Sequence, residues 1–549
     1  MLQRSRCLSR VFWWTPALTL LAAAPALGAS GSQTHSPHPA WIIPFAALLA
    51  MIALLPLLTP KFWHHRFPII AGIMFLVGLS YYWVLREDLH PWLHEMKEYV
   101  SFIALLFALF VISGGIMISV SRKATPLANC TLLLLGAVIA NIFGTTGAAM
   151  LLIRPYIRIN KGHIRPYHIV FFIFTVANCG GCLTPIGDPP LFLGYLKGVP
   201  FWWFLENAWE AWLLCLLVLI VIFWVFEKID HGKAERHDWG EHDTGPAVRI
   251  NGIHNFLFII VVLIAVFQQS VFSAIEALGK DGVTVMELVY LLFSREVMMV
   301  AAALISRWVT SIGIYERNEF SWFPIKEVVI LFLAIFSTMV PCLEWLDANA
   351  RKLEEVKVGG QTVNLVADPG RYYYITGTLS AFLDNAPTWV TFFTTQTAAA
   401  EKENPEHLQH VRDAAVRVAD GDHWADASEE LGLAPPERLT LETLMIHHGD
   451  KVRSGTVSDS QIKAAYMVAD PDRPIRPGGP PLAKFLLAIS LAAVFFGACT
   501  YIGNAPNFMV KSIAESSGIR MPSFLGYLFK FAIPILLPVY IFVWFIFLR

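Results

Sequence analysis

The chain has 549 residues, 56% of them hydrophobic and only 15% charged, with a net charge of −1 and a mean hydropathy of +0.54. Soluble domains carry nearer a quarter charged residues, so this balance excludes an ordinary soluble globular protein. The near-zero net charge also leaves no bulk electrostatic basis for nucleic-acid binding. Apolar windows of roughly 20 residues, the length that crosses a bilayer, recur along the chain and predict an all-α, polytopic membrane protein.

In chain order, Arg4, Arg6 and Arg10 precede an apolar core and the small residues of "APALGAS". This reads as a signal peptide over 1–29; an uncleaved signal anchor is the alternative. Spanning segments are expected at 41–59, 68–85, 99–120, 167–197, 204–226, 253–272, 287–306, 326–346, 482–510 and 530–548. Two more apolar stretches, 127–157 and 371–397, are interrupted by polar, Gly or Pro residues.

Short loops rich in Lys and Arg favour the cytoplasm. Lys61 and Arg66 place the first loop inside, and Arg122 and Lys123 place the third there. Arg154, Arg158, Lys161 and Arg165 also belong inside, so 127–157 must enter and return on the same side. It is expected to be a re-entrant hairpin with its tip at "NIFGTTG", 141–147. Continuing the count, 227–252 is a cytoplasmic linker, and "LSAFLDNAPTW" (379–389) enters from outside as a second hairpin. The charged stretch 398–480 reads as a periplasmic insertion, since long loops translocate largely regardless of charge.

"IGDPPLFL" (186–193) and "IGNAPNFM" (502–509) share Ile, Gly, Pro and Phe at the same spacing. Gly181 and Thr184 upstream of the first match Gly497 and Thr500 upstream of the second. Each motif follows a hairpin with a polar tip, so a hairpin and a broken helix occur twice with opposite orientation. That pattern predicts an inverted-repeat secondary transporter with two re-entrant hairpins and two discontinuous helices. The repeats would cover 41–226 (hairpin 127–157, broken helix 167–197) and 253–397 with 481–549 (hairpin 371–397, broken helix 482–510).

Gly187, Pro189, Pro190, Gly503 and Pro506 break the helices, because proline removes a backbone donor and glycine permits turns. Freed carbonyls and an intramembrane carboxylate suit a hard cation, and ionisable residues at that depth are functional candidates by default. Asp188 and Asp384 are the two strongest, as sodium ligands that also carry protons. Asn141, Thr145 and Thr146 are candidate oxygen donors from the first tip, and Asn385 and Thr388 from the second. Thr184, Thr500 and Asn504 flank the breaks. Each hydroxyl has a second use, satisfying local backbone, and Asn178 is a candidate bridge between helices. No nucleotide-binding motif or catalytic triad is present to suggest an enzyme, and no cofactor is expected beyond Na+ and H+ as transported or coupling ions.

The segments "GGCLTPIGDPPLFLGYLKGVPFWWF", "SAFLDNAPTW" and "YIGNAPNFMVKSIAE" resemble bacterial sodium/proton antiporter-like proteins. These belong to the citrate-transporter-like ion transporter superfamily, which also holds citrate and dicarboxylate carriers and arsenite pumps. The resemblance implies a multi-pass protein of the bacterial inner membrane, a homodimer and an elevator-like movement. The dicarboxylate branch carries Ser-Asn-Thr at both hairpin tips, whereas this chain has Gly-Thr-Thr and Asp-Asn-Ala-Pro-Thr. Small inorganic cations are therefore the expected partners alongside the lipid bilayer, and sodium/proton antiport the expected function. A sodium-coupled carrier of citrate or another organic anion is the alternative.

Overall fold

A computed structural model describes residues 37–120, 125–231, 248–276, 294–318, 320–358, 361–364, 368–474 and 479–549. The expected signal segment, much of 227–252 and part of the span at 287–306 lie outside these residues. Among the described residues, eight helices are long and apolar enough to cross a membrane.

The chain opens with α1 (Ile42–Leu58), α2 (Pro60–Ser80) and α3 (His90–Gly114). Both α2 and α3 begin with proline in the first turn, where the missing N–H goes unneeded. The apolar run expected at 99–120 does not stay helical to its end. Its last residues form β1 (Met117–Val120), antiparallel to β2 (Val248–Asn251).

α4 (Pro126–Ile159) is interrupted at Gly144, which has φ +73° and ψ 156°. A straight helix would separate Asn129 and Asn160 by about 46 Å, yet their side chains exchange hydrogen bonds of 2.8 and 2.9 Å. The segment is therefore a helical hairpin that turns at the left-handed glycine, a conformation other residues resist. α5 (Pro166–Thr175) ends early, and apart from one 3-10 turn at Cys179–Gly181 the chain resumes helix at α6 (Pro189–Leu196). α7 (Trp203–His231) follows and leaves Leu217, Val221 and Trp224 on its outer face 45–60% exposed. Such a face is costly in water and ordinary in lipid.

The second half runs α8 (Asn255–Glu276), α9 (Arg295–Val309), α10 (Ile312–Arg317) and α11 (Phe323–Glu354). A small hairpin, β3 (Glu355–Val358) with β4 (Gln361–Asn364), leads to α12 (Pro369–Phe382) and α13 (Asn385–Glu403). The rings of Tyr372 and Phe392 lie 5.9 Å apart, where a continuous helix would hold them about 30 Å apart. So α12 and α13 also fold back on each other, turning at Leu383–Asp384.

The 398–480 stretch begins within the end of α13 and then forms four short helices, α14 (Pro405–Ala419), α15 (Trp424–Glu430), α16 (Pro435–Arg453) and α17 (Asp459–Val468). α18 (Leu482–Phe496) and α19 (Ala505–Ser516) are the halves of the second broken helix, and α20 (Phe524–Phe547) closes the chain. Packing fixes the halves together. Trp389 on α13 is fully buried, donates its indole N–H to Ser490 on α18 at 3.0 Å, and lies so close to Gly194 on α6 that a Cβ there would sit 2.9 Å from the ring.

Candidate functional site

The two helix breaks are built alike. At the first, the Thr184 hydroxyl donates to the Asn141 carbonyl at 2.6 Å and accepts from the Gly187 N–H at 3.1 Å. At the second, the Thr500 hydroxyl donates to the Ala381 carbonyl at 2.5 Å and accepts from the Gly503 N–H at 3.1 Å. Thus Thr184 and Thr500 serve backbone, bracing each break against the tip of a hairpin. A Cβ on Gly187 would fall 2.3 Å from the Gly181 carbonyl oxygen, and one on Gly503 would fall 2.7 Å from that of Gly497. Contacts that short do not occur between real atoms, so the paired glycines are required for the fold of each break. Pro189, Pro190 and Pro506 then sit in the first turns of α6 and α19, where they start the helices rather than kink them.

Four helix N-termini meet where the breaks and hairpin tips converge. Asp188 is the N-cap residue of α6, Asn504 that of α19 and Asp384 that of α13, while Thr145 opens the second arm of α4. Four residues after Asn141 comes Thr145, and four after Ala381 comes Asn385, so the hairpins present these two side chains in equivalent places. Both reach the same carboxylate. Asp188 Oδ1 accepts from the Thr145 hydroxyl at 2.7 Å and from the Asn504 amide at 3.0 Å, and Oδ2 accepts from the Asn385 amide at 2.5 Å. All four residues are at most 1% exposed. A backbone bond from the Thr145 N–H to the Gly187 carbonyl, 2.8 Å, fixes the tip against the break.

Burying an ionised carboxylate is expensive unless hydrogen bonds and opposing charge offset it. Here three neutral donors supply the bonds, and none of them is a cationic side chain. The helix ends supply further positive potential, on the order of half a unit charge each. Asn385 Oδ1 is left without a hydrogen-bond partner although its residue is fully buried, which makes it an oxygen free to accept from a ligand.

The other expected residues divide. Asp384 is half-buried and turns its carboxylate back to cap its own helix, accepting from the Ala386 N–H at 3.1 Å. It therefore flanks the Asp188 cluster through its neighbour Asn385, without a direct bond to Asp188. Thr388 donates to the Asp384 carbonyl at 3.0 Å, a local backbone use. Asn141 is structural as well: its amide donates to the Gly180 carbonyl at 2.7 Å and its oxygen accepts from the Leu183 N–H at 2.9 Å. Thr146, half-buried, follows Thr145 on the same turn. Asn178 does bridge helices, donating to Asn507 Oδ1 at 2.6 Å. Asn507 donates in turn to the carbonyls of Gly497 and Thr500 at 2.8 and 2.9 Å.

Sequence reasoning missed this role for Asn507, whose place one residue after Pro506 was a usable signal. It also missed Lys197 at the far end of α6, which meets Glu95 and Glu98 of α3 at 2.5 and 2.9 Å in buried surroundings. The i,i+3 spacing of the glutamates puts both on one helix face, but nothing in the sequence names their partner.

Apolar helices, folded-back hairpins and interrupted helices meeting at a buried carboxylate define a multi-pass membrane transporter. Residues 34–548 match a protein family described as "Putative citrate transport", and the chain belongs to that family. No curated protein matches it.

Proposed function

We propose that the protein exchanges sodium for protons across the inner membrane by alternating access, with Asp188 as the group for which the two ions compete. The observation that supports this reading is a buried carboxylate at the meeting of four half-helices, bonded, among the described residues, to neutral donors. One carboxylate without a cationic partner can take a sodium ion when ionised or a proton when neutral, but not both at full strength. Competition of that kind couples two opposed flows. The oxygens of Asp188 and the unpaired Asn385 Oδ1 are the first ligands for the ion, with Asp384 next to them as the second carboxylate. The family description and the helical fold agree with a secondary transporter.

The same reading makes α4 and the α12–α13 pair re-entrant hairpins opening to opposite faces of the membrane. The two halves are then inverted repeats, 398–480 is a periplasmic insertion, and the unit works as a homodimer with an elevator-like movement.

A second reading has its own support. About four half-charges at the helix ends oppose two carboxylates, so the site is near neutral with both ionised and positive with both protonated. Half-helix N-termini commonly face anionic substrates. Citrate or another organic anion, entering with sodium or protons, is the substrate this field would hold, as the family description suggests.

Everted vesicles from a host without its own sodium/proton exchangers separate the two. Under an imposed pH gradient, sodium is expected to collapse the gradient, and the response is expected to vanish in Asp188→Asn. Sodium-dependent uptake of labelled citrate with no cation-driven collapse would replace antiport by organic-anion transport.

A further inference from the structure

A second polar site lies away from Asp188, where α4 ends at Ile159, α5 begins at Pro166 and α19 ends at Ser516. Between these ends is a cavity of about 290 Å³ lined by the loop after α4 and the loop after α19. Lys161, Arg165 and Arg520 border it, all exposed, and its lining contains no carboxylate. Asp230 on α7 lies 3.5 Å from Arg165 Nε, offsets one of the three positive charges and orients that guanidinium. Ile157, Ile164 and Ile519 form the rest of the wall and are half-buried or buried. Gly162 and Gly518, both left-handed with φ +92° and +84°, make the turns, and a Cβ on either would meet nothing within 4 Å. The mouth is therefore open.

We propose that this cavity binds the phosphate of an anionic phospholipid. Two planar guanidinium groups and an ammonium group suit a phosphate oxygen set, the guanidinium pairs bidentately. The isoleucine wall adds a surface that a free phosphate ion cannot use and a glycerol and acyl stem can. The cavity sits where the apolar α4 ends and polar loops begin, the level of the headgroups if α4 enters the bilayer. Basic pockets between helix ends on the cytoplasmic side are the usual seats of such headgroups. Bound lipid would join the loop after the first hairpin to the loop after the second broken helix. This inference rests on the chain crossing a membrane, and holds whichever ion or anion is carried.

The test is the thermal midpoint of the full-length protein in detergent, with phosphatidylglycerol, phosphatidylcholine or inorganic phosphate added at low salt. Phosphatidylglycerol is expected to raise the midpoint by about 3 °C or more over phosphatidylcholine, as ligand linkage requires. Arg165→Gln with Arg520→Gln should remove that difference, Arg520→Gln alone should roughly halve it, and Arg453→Gln in the 398–480 stretch should keep it. The same rise with inorganic phosphate would replace the lipid by a soluble anion. No difference between the two lipids, or a difference that survives the double variant, would overturn the site. Because Arg520 is exposed, its single variant folds and keeps the test decisive if the double variant does not.

Discussion

The two broken helices are near copies in backbone and unlike in chemistry. Each has a threonine that grips a hairpin tip, a pair of glycines in carbonyl contact, and a proline starting the second half-helix. At the point where both look inward, 316 residues apart, one carries Asp188 and the other Asn504. The hairpin tips differ in the opposite sense: the first carries Gly144 and Thr145, the second Asp384 and Asn385, and both Thr145 and Asn385 reach Asp188 at the first break. Similar breaks thus make a cradle of helix ends, and two differences between them and their hairpin tips give that cradle one central acid and one flanking acid. Geometry is duplicated where the fold needs it, and charge is placed once at the centre.

The largest effect is expected from removing the central charge. Asp188→Asn should reduce sodium-driven proton movement by about a hundredfold or more while the protein still folds, since the Asn385 amide can turn its free oxygen to the new NH2 group. Dye quenching in everted vesicles measures the first, and the thermal midpoint the second. Asp384→Asn, one residue outside the central cluster, should cost less than Asp188→Asn in the same assay.

A sharper probe exchanges the two central side chains. Asp188→Asn combined with Asn504→Asp moves the acid from the first break to the second and keeps the same groups. If the half-sites are equivalent, the double variant should recover at least about a tenth of the lost rate. A double variant as inactive as Asp188→Asn would show that the scaffold's likeness does not extend to function.

The breaks themselves can be compared by adding a methyl group. Gly187→Ala meets a carbonyl at 2.3 Å and Gly503→Ala one at 2.7 Å. Overpacking of this kind costs about 1–3 kcal/mol, so both should lower the thermal midpoint, Gly187→Ala the more. Equal or absent shifts would mean the glycine pairs are looser than their contacts imply.

The smallest effect concerns the 398–480 stretch, which rests on the first broken helix. His448 on α16 donates to the Gly198 carbonyl at 3.0 Å, just beyond α6. Burial, with Lys451 and His447 nearby, holds this ring down to about 4, although its bond to the Gly198 carbonyl pulls the other way. In an unfolded chain it titrates near 6.5. Between those values the unfolded chain binds a proton that the folded one refuses, so stability present above about pH 6.5 falls as the pH drops toward 4. Hydrogen exchange around 445–455, corrected for intrinsic rates, should speed up from pH 7 to pH 5 in the native protein and change less in His448→Gln.

Much of this arrangement was legible in the sequence because its signals are punctuation and cost. Gly187, Pro189 and Pro190 interrupt an apolar run, and Asp188 is a charge where charge is expensive, so break and acid stand out together. The bend of α4 was readable from loop charges, since Arg122 and Arg154 both ask for the same side. Roles of hydroxyls and amides were less readable. Thr184, Thr500, Thr388 and Asn141 prove to hold backbone, whereas Thr145, Asn385 and Asn504 hold Asp188, and these residues look alike in one dimension. Pairings such as Asn178 with Asn507, or Lys197 with Glu95 and Glu98, depend on which helix packs beside which, and chain order does not carry that. The β1–β2 ribbon escaped notice because Met117–Val120 continues an apolar run and finds its partner more than a hundred residues later.

The central claim is that Asp188 exchanges a proton for a sodium ion, and proton release on sodium binding measures it directly. Purified protein in weakly buffered solution would be mixed with sodium chloride, against choline chloride as control, and the pH followed. The native protein should acidify the solution near neutral pH, and Asp188→Asn should not. Release that persists in Asp188→Asn and disappears in Asp384→Asn, or no release from the native protein at any pH, would contradict it.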